Sequence, residues 1–278
     1  MNIRLGRFFL YTAVIAYTGL LGCSKSDDTT PDNQSKKGIV VTDNSAFGSI
    51  LTDKEGRTLY FFAVDADGQS GCSGDCETNW PIYSDTTAAA DPSINADLGT
   101  ITRPDGKIQA TYKGWPLYYY AGDANSGDVN GDGVGGTWFV AKPDYAIMLA
   151  SQQLVGQDGT HYLGDHQKGD GVTVYLTDDS GNTLYLFEPD KFNTNNFTKP
   201  DLSNNAAWPV YEMEMKNVPS AISEDMTATI TIFGKVQLTY KGWPLYYFGQ
   251  DNTRGDTKGI SIANWNILET NISEAPKN

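Results

Sequence analysis

The sequence is poor in the residues on which chemistry usually rests. It holds three cysteines and two histidines in 278 residues. No Ser or Cys stands in a G-x-S-x-G context, so a nucleophile–imidazole hydrolase has little to be built from. No Walker-type or dinucleotide-type glycine loop is present to cradle a phosphate. The cysteines are not spaced C-x-x-C, and no His follows Cys76, so thioredoxin-like redox chemistry and c-type haem attachment are not written here. Positive charge is scarce as well: 20 Lys and Arg against 34 Asp and Glu leave a net charge of −14. That balance argues against nucleic acid or an anionic membrane face as partner, because both attract basic patches. Cations and neutral ligands remain compatible. Long amphipathic helical periodicity is missing. The apolar run Phe8 to Leu21 has fourteen residues, short of the roughly 20 an ordinary spanning helix needs.

That run reads instead as part of an address. Arg4 and Arg7 precede it, as in a secretory signal, and residues 1–22 are expected to be a signal peptide. It ends in Leu20-Leu21-Gly22-Cys23, which resembles a bacterial lipobox and implies lipidation of Cys23 after cleavage. A plain signal peptide with a chance cysteine, or an uncleaved anchor, are the alternatives. Ser24 to Lys37 contains no aliphatic or aromatic residue, so residues 23–37 read as a lipidated flexible tether with a reach on the order of 20 Å. Ser24 resembles the outer-membrane sorting choice, and Asp27-Asp28 resembles the acidic surface-export signals of some Gram-negative lipoproteins. With Cys23 given to lipid, Cys72 and Cys76 remain. Outside the cytoplasm a lone pair usually oxidises, so a bridge across this short loop is expected; free or redox thiols are the alternative.

The chain is written twice. Thr111 to Asp123 and Thr239 to Asp251 agree at ten of thirteen positions, at an offset of 128. Leu51 to Asp65 and Leu176 to Asp190 agree at nine of fifteen, at an offset of 125. A three-residue insertion between Asp190 and Trp208 accounts for the difference. Within this duplication a finer pattern, Gly-x-[Thr/Pro]-Leu-Tyr-x-[Phe/Tyr]-x-x-Asp, occurs at Gly56–Asp65, Gly114–Asp123, Gly181–Asp190 and Gly242–Asp251. In these four copies the chain resembles the bacterial secreted-repeat lipoproteins with a Tyr-x4-Asp motif. The resemblance implies an extracytoplasmic lipoprotein and brings no established activity.

Each motif copy follows a turn sequence, such as Asp53-Lys54-Glu55-Gly56 or Tyr112-Lys113-Gly114, and enters a short run of Leu, Tyr and Phe that reads as a strand. Preceding runs such as Ile108–Tyr112 and Val236–Tyr240 supply hairpin partners. Pro116 and Pro244 belong at a strand start or edge. Strand parity sets Tyr60 and Phe62 on one face and Leu59 and Phe61 on the other, so the sheet should be covered on both sides. Asp144 to Val155 reads as one short helix or a strand. The expectation is a mainly β protein of two tandem homologous units, residues 38–150 and 151–278, built of antiparallel hairpins in a small sandwich or barrel-like arrangement with few or no long helices.

Among candidate functional residues, the motif pairs come first: Tyr60 and Asp65, Tyr118 and Asp123, Tyr185 and Asp190, Tyr246 and Asp251. The carboxylates suit turn capping, with a shared ligand or cation as the alternative. The six Trp pair off between units (Trp80 with Trp208, Trp115 with Trp243, Trp138 with Trp265), which favours packing over a sugar-stacking platform. Asp128-Val129-Asn130-Gly131-Asp132-Gly133 matches the opening of a calcium loop, with Val134 and Asp123 as further candidate ligands for Ca²⁺. Phe139 stands where the closing Glu belongs, which favours a plain polar loop. His161 and His166 lie beside Asp165 and Asp170 in a Gly- and Asp-rich connection, a weak Zn²⁺ or Cu²⁺ pattern. Together these residues point to a non-catalytic binding or structural module, held to the outer membrane by its lipid, facing the periplasm or the outside, and engaging a protein, glycan or metal ligand. An accessory role in extracytoplasmic electron transfer or metal handling is the alternative.

Overall fold

Short apolar runs separated by Gly-containing turns fold here as small antiparallel sheets. The computed structural model describes residues 38–277, which fall in one compact unit; the signal-peptide, Cys23 and tether expectations lie outside the described residues. The chain is mainly β, and every strand pairing is antiparallel. The first set of strands is β1 (Val40–Asn44), β2 (Gly48–Thr52), β3 (Tyr60–Phe62), β4 (Leu98–Thr102), β5 (Ile108–Tyr112), β6 (Trp115–Pro116) and β7 (Trp138–Val140). The second opens with β8 (Met148–Gln152), so the stretch read as helix or strand is a strand. It then inserts a small hairpin, β9 (Leu154–Val155) and β10 (His161–Tyr162). It continues with β11 (Thr173–Thr177), β12 (Tyr185–Phe187), β13 (Thr227–Ile232), β14 (Lys235–Tyr240), β15 (Trp243–Pro244) and β16 (Trp265–Ile267). Among the described residues helix is confined to one turn at Asp75–Asn79 and short 3-10 segments. No described helix is long and apolar enough to cross a membrane.

The two sets repeat one wiring. β1–β2, β4–β5–β6 and β3–β7 are matched by β8–β11, β13–β14–β15 and β12–β16. The sheets stay open at two or three strands, and no barrel closes among the described residues. The tight β5–β6 and β14–β15 turns carry φ of +48° and +78° at Lys113-Gly114, and +49° and +79° at Lys241-Gly242. Two successive left-handed residues make a turn whose twist matches that of its strands, and Gly takes the second position without strain.

One expectation needs correcting. The motif strands β3 and β12 do not ladder mainly with the run before them. Tyr60–Phe62 ladders with Trp138–Val140, and Tyr185–Phe187 with Trp265–Ile267; the preceding strand contributes only a bridge, Thr52↔Thr58 or Thr177↔Thr183. The reason is an exchange. Each unit consists of two motif-bearing repeats, and each repeat completes the other's sheet. Ala141, at the end of the second repeat, sits between Leu51 and Leu59 of the first (Leu51 N–H to Ala141 O, 2.8 Å; Ala141 N–H to Leu59 O, 2.8 Å). Reciprocally, Tyr83 of the first sits between Ala110 and Leu117 of the second (both bonds 2.9 Å). The other unit does the same with Leu268 between Leu176 and Leu184, and Tyr211 between Leu238 and Leu245. A single repeat alone leaves these backbone groups unpaired.

Both faces of the motif strands are covered: Leu59, Tyr60 and Phe61 are buried and belong to three different apolar clusters. The largest cluster runs across both units, joining Phe61, Trp115 and Phe139 to Leu149, Tyr175 and Leu184.

Candidate functional site

The motif tyrosines and aspartates meet across repeats, not within them. Tyr60 donates to Asp123 Oδ2 (2.7 Å) and Tyr118 donates to Asp65 Oδ2 (2.5 Å). In the second unit Tyr185 donates to Asp251 Oδ2 and Tyr246 to Asp190 Oδ2, both at 2.7 Å. Between each crossed pair the tyrosine backbones exchange two hydrogen bonds, Tyr60 with Tyr118 and Tyr185 with Tyr246. The remaining oxygen of each carboxylate takes one backbone N–H: Gly71 on Asp65 (2.7 Å), Asn130 on Asp123 (2.9 Å), Asn196 on Asp190 (2.6 Å) and Lys258 on Asp251 (3.0 Å). Each acid thus ties one repeat's strand to the other's tyrosine and pins a loop. Burial pushes Asp65 and Asp251 up to about 7 and Asp190 up to about 6, while the tyrosine hydroxyls and backbone donors pull the other way. Burial also raises Asp123, and it raises all four tyrosines, whose neighbouring carboxylates add to the effect.

The tryptophans fill the space beside these pairs. Trp138 lies stacked between Phe62 (3.9 Å) and Trp80 (3.8 Å), using both indole faces. Trp208 and Trp265 stack at 3.6 Å in the second unit. All six Trp are buried.

The calcium-like loop has a different occupation from the one its spacing suggests. Asp128 Oδ2 accepts the N–H groups of Ala124 (3.0 Å) and Asn125 (2.8 Å). Asp256, its counterpart, accepts those of Asn252 and Thr253 in the same way. Asp132 Oδ1 accepts from Val140 N–H (3.0 Å), Asp123 serves Tyr60 and Asn130, and Val134 opens a 3-10 turn. The carboxylates therefore serve separate backbone donors. Gly131 packs against aromatic rings: a Cβ there would meet Trp80 and Tyr60 at 2.9 Å, as one at Gly259 would meet Tyr185 at 2.6 Å and Trp208 at 2.9 Å. Among the described residues no group of three or more His, Cys, Asp or Glu is placed to hold a metal ion.

His161 and His166 lie in the β8–β11 connection, inside the second unit and not between units. Each has its own acid: His161 Nδ1 is 2.6 Å from Asp170 Oδ1, and His166 Nε2 is 3.4 Å from Glu188 Oε1. Cys72 and Cys76 form a disulfide. It braces the loop after the first motif, whose Cys72 carbonyl accepts from buried Arg103 Nη2 (2.7 Å). The equivalent loop in the second unit is held by asparagines. Asn195 accepts from the N–H groups of Phe197 and Thr198, Asn204 bonds Lys199 and Phe197, and Asn205 accepts from Val210.

Two functional features escaped the sequence reading. Asp53 and Asp178, read only as turn residues, are buried and each accepts a tyrosine hydroxyl as well as turn N–H groups: Tyr119 at 2.9 Å and Tyr247 at 2.8 Å. Arg254 reaches from the second unit to the first, donating to Ala66 O (2.8 Å) and Lys113 O (3.2 Å). Its counterpart at the repeat offset is Ser126, one of several differences that follow Asp123 and Asp251, so the sequence carries no signal that singles it out.

A profile of one family, described as a secreted repeat of unknown function, matches residues 41–83, 99–142 and 229–268. These are three of the four repeats seen in the fold; the fourth carries the β9–β10 insertion and the asparagine-held loop. No curated protein and no solved structure matches the chain.

Proposed function

We propose that this secreted-repeat protein is a non-catalytic, extracytoplasmic binding or structural module, tethered to the outer membrane by lipid on Cys23. In this reading residues 1–22 are removed, residues 23–37 form the tether, and two repeat units meeting near residue 150 form the body. The observation that carries it is the saturation of the motif. The four repeated Tyr–Asp pairs face each other, Asp65 and Asp190 are wholly buried, and each carboxyl holds two donors. Groups so occupied hold a scaffold together, and burial closes Asp65 and Asp190 off from any substrate. Variation between the halves is concentrated in loops: the disulfide loop against the asparagine loop, and the inserted hairpin. Ligand contact belongs there. The test is cell fractionation. The native chain should sediment with outer membrane and take up labelled fatty acid, and Cys23→Ser should release it unlabelled. Membrane association of the Ser variant contradicts the anchor.

A further inference from the structure

The Lys-Gly-Trp-Pro step occurs once in each unit, and the two copies are covered by different pieces of chain. In the first unit, the Lys113 ammonium pairs with the Asp179 carboxylate on the turn between β11 and β12 of the second unit. Trp115 Nε1 donates to the Asp179 carbonyl (3.1 Å), and Arg254 Nη1 donates to the Lys113 carbonyl (3.2 Å) with its guanidinium 5.0 Å from the Trp115 ring. In the second unit, Lys241 Nζ donates to the carbonyls of Thr270 and Ile272, both at 2.9 Å. Trp243 Nε1 donates to Ser273 O (2.9 Å), and Ala275 N–H donates to Lys241 O (2.9 Å). The same three groups, an ammonium, an indole N–H and a lysine carbonyl, are thus satisfied in one case by a folded turn together with the Arg254 side chain, and in the other by a passing segment. A groove of about 440 Å³ runs beside that segment, lined by Phe192, Met226, Lys241 and Ile272 among others.

We propose that this step is a coupling site for repeat units, and that Ile272–Pro276 is an intramolecular plug over the second copy. The partner that fits is a further secreted-repeat unit presenting what the second unit presents to the first: an Asp-x-Gly turn with an arginine at the Arg254 position. The chain's own free turn does not qualify. Lys54 stands in the place of Asp179 and Ser126 in the place of Arg254, so a second copy sets Lys54 against Lys241. Head-to-tail contacts of this kind propagate unless blocked, and plug and mismatch both block this one. The inference deepens the binding-module reading above and rests on it, but not on the lipid anchor; an anchor that fails its test leaves it standing.

Two variants of the soluble chain from Ser24 onward test it. Ala275→Glu puts a charge at a buried position of the plug and opens the site. Lys54→Asp with Ser126→Arg builds the missing turn on a chain whose plug is intact. Each alone should run as a monomer in light scattering, and their mixture should form a 1:1 complex that a Lys241→Asp change in the first chain abolishes. A mixture that stays monomeric, although hydrogen exchange shows residues 272–276 released in a folded Ala275→Glu chain, overturns the proposal. So does self-association of Ala275→Glu alone. If Ala275→Glu does not fold, the unaltered chain is titrated with the Lys54→Asp, Ser126→Arg chain. The Trp243 indole N–H resonance should shift as the plug is displaced, and no shift up to millimolar concentration overturns the proposal.

Discussion

Replacing Tyr246 by Phe removes the hydroxyl that donates to Asp190 Oδ2 (2.7 Å) and leaves that carboxyl with the Asn196 N–H alone. Asp190 is fully buried, and burial raises its pKa to about 6. At pH 8 the carboxyl is ionised, so the lost bond is charge-assisted and its removal costs about 1.5–3 kcal/mol. At pH 5 the carboxyl is mostly protonated, and the neutral bond contributes about 1 kcal/mol. For a chain of this size the melting temperature should fall by about 3–12 °C at pH 8 and about 2–4 °C at pH 5. The unaltered chain carries the companion effect. Asp65, Asp190 and Asp251 have folded pKa values of about 6 to 7, above the unfolded value of about 3.9. The folded state therefore holds protons that the unfolded chain has released. The stability these groups contribute is fully present below about pH 4 and is lost as pH rises through 6 to 7. Urea unfolding at pH 5 and pH 8 reads both effects. An equal cost of Tyr246→Phe at the two pH values, or unaltered-chain stability that rises from pH 5 to pH 8, refutes the reasoning.

Gly131→Ala and Gly259→Ala each press a methyl group into buried Tyr and Trp rings, and each should cost about 1–3 kcal/mol by thermal or chemical melting; a neutral outcome means the rings are not where they are described. Reducing Cys72–Cys76 opens a loop with a sequence separation of only 4. It should cost no more than about 2 kcal/mol and leave amide exchange in the second unit unchanged. Millimolar Ca²⁺ should leave the melting temperature where it is, since Asp123, Asp128 and Asp132 already serve separate donors; a rise that Asp132→Ala abolishes would install a calcium site.

Much of this architecture is legible in the sequence, because hairpins are local. The turn at Lys113-Gly114 and the alternation Leu59-Tyr60-Phe61-Phe62 give strand class, a tight turn and burial on both faces without any long-range information. The exchange between repeats is not local. Tyr60 and Asp123 are 63 residues apart, and nothing in one motif copy says that its tyrosine and aspartate bond elsewhere. The spacing of Asp128 and Asp132 matches the opening of a calcium loop, while in the structure each carboxylate accepts backbone N–H groups and Asp256 repeats the contacts of Asp128. The loops are the least legible. Disulfide and asparagine staples hold equivalent positions with no residue in common, so comparing the halves exposes the difference but not the shared purpose. Arg103 likewise gives no sign in the sequence that it is buried against Cys72 and Gln109.

The claim on which the rest depends is that the repeats work as interlocked pairs, each tyrosine held by the other repeat's acid. A double-mutant cycle measures this directly. Tyr60→Phe with Asp123→Asn should show a coupling energy of about 1–2 kcal/mol in urea unfolding, whereas Tyr60→Phe with Asp65→Asn should add within about 0.5 kcal/mol. Coupling between Tyr60 and Asp65, with additivity between Tyr60 and Asp123, would contradict the account.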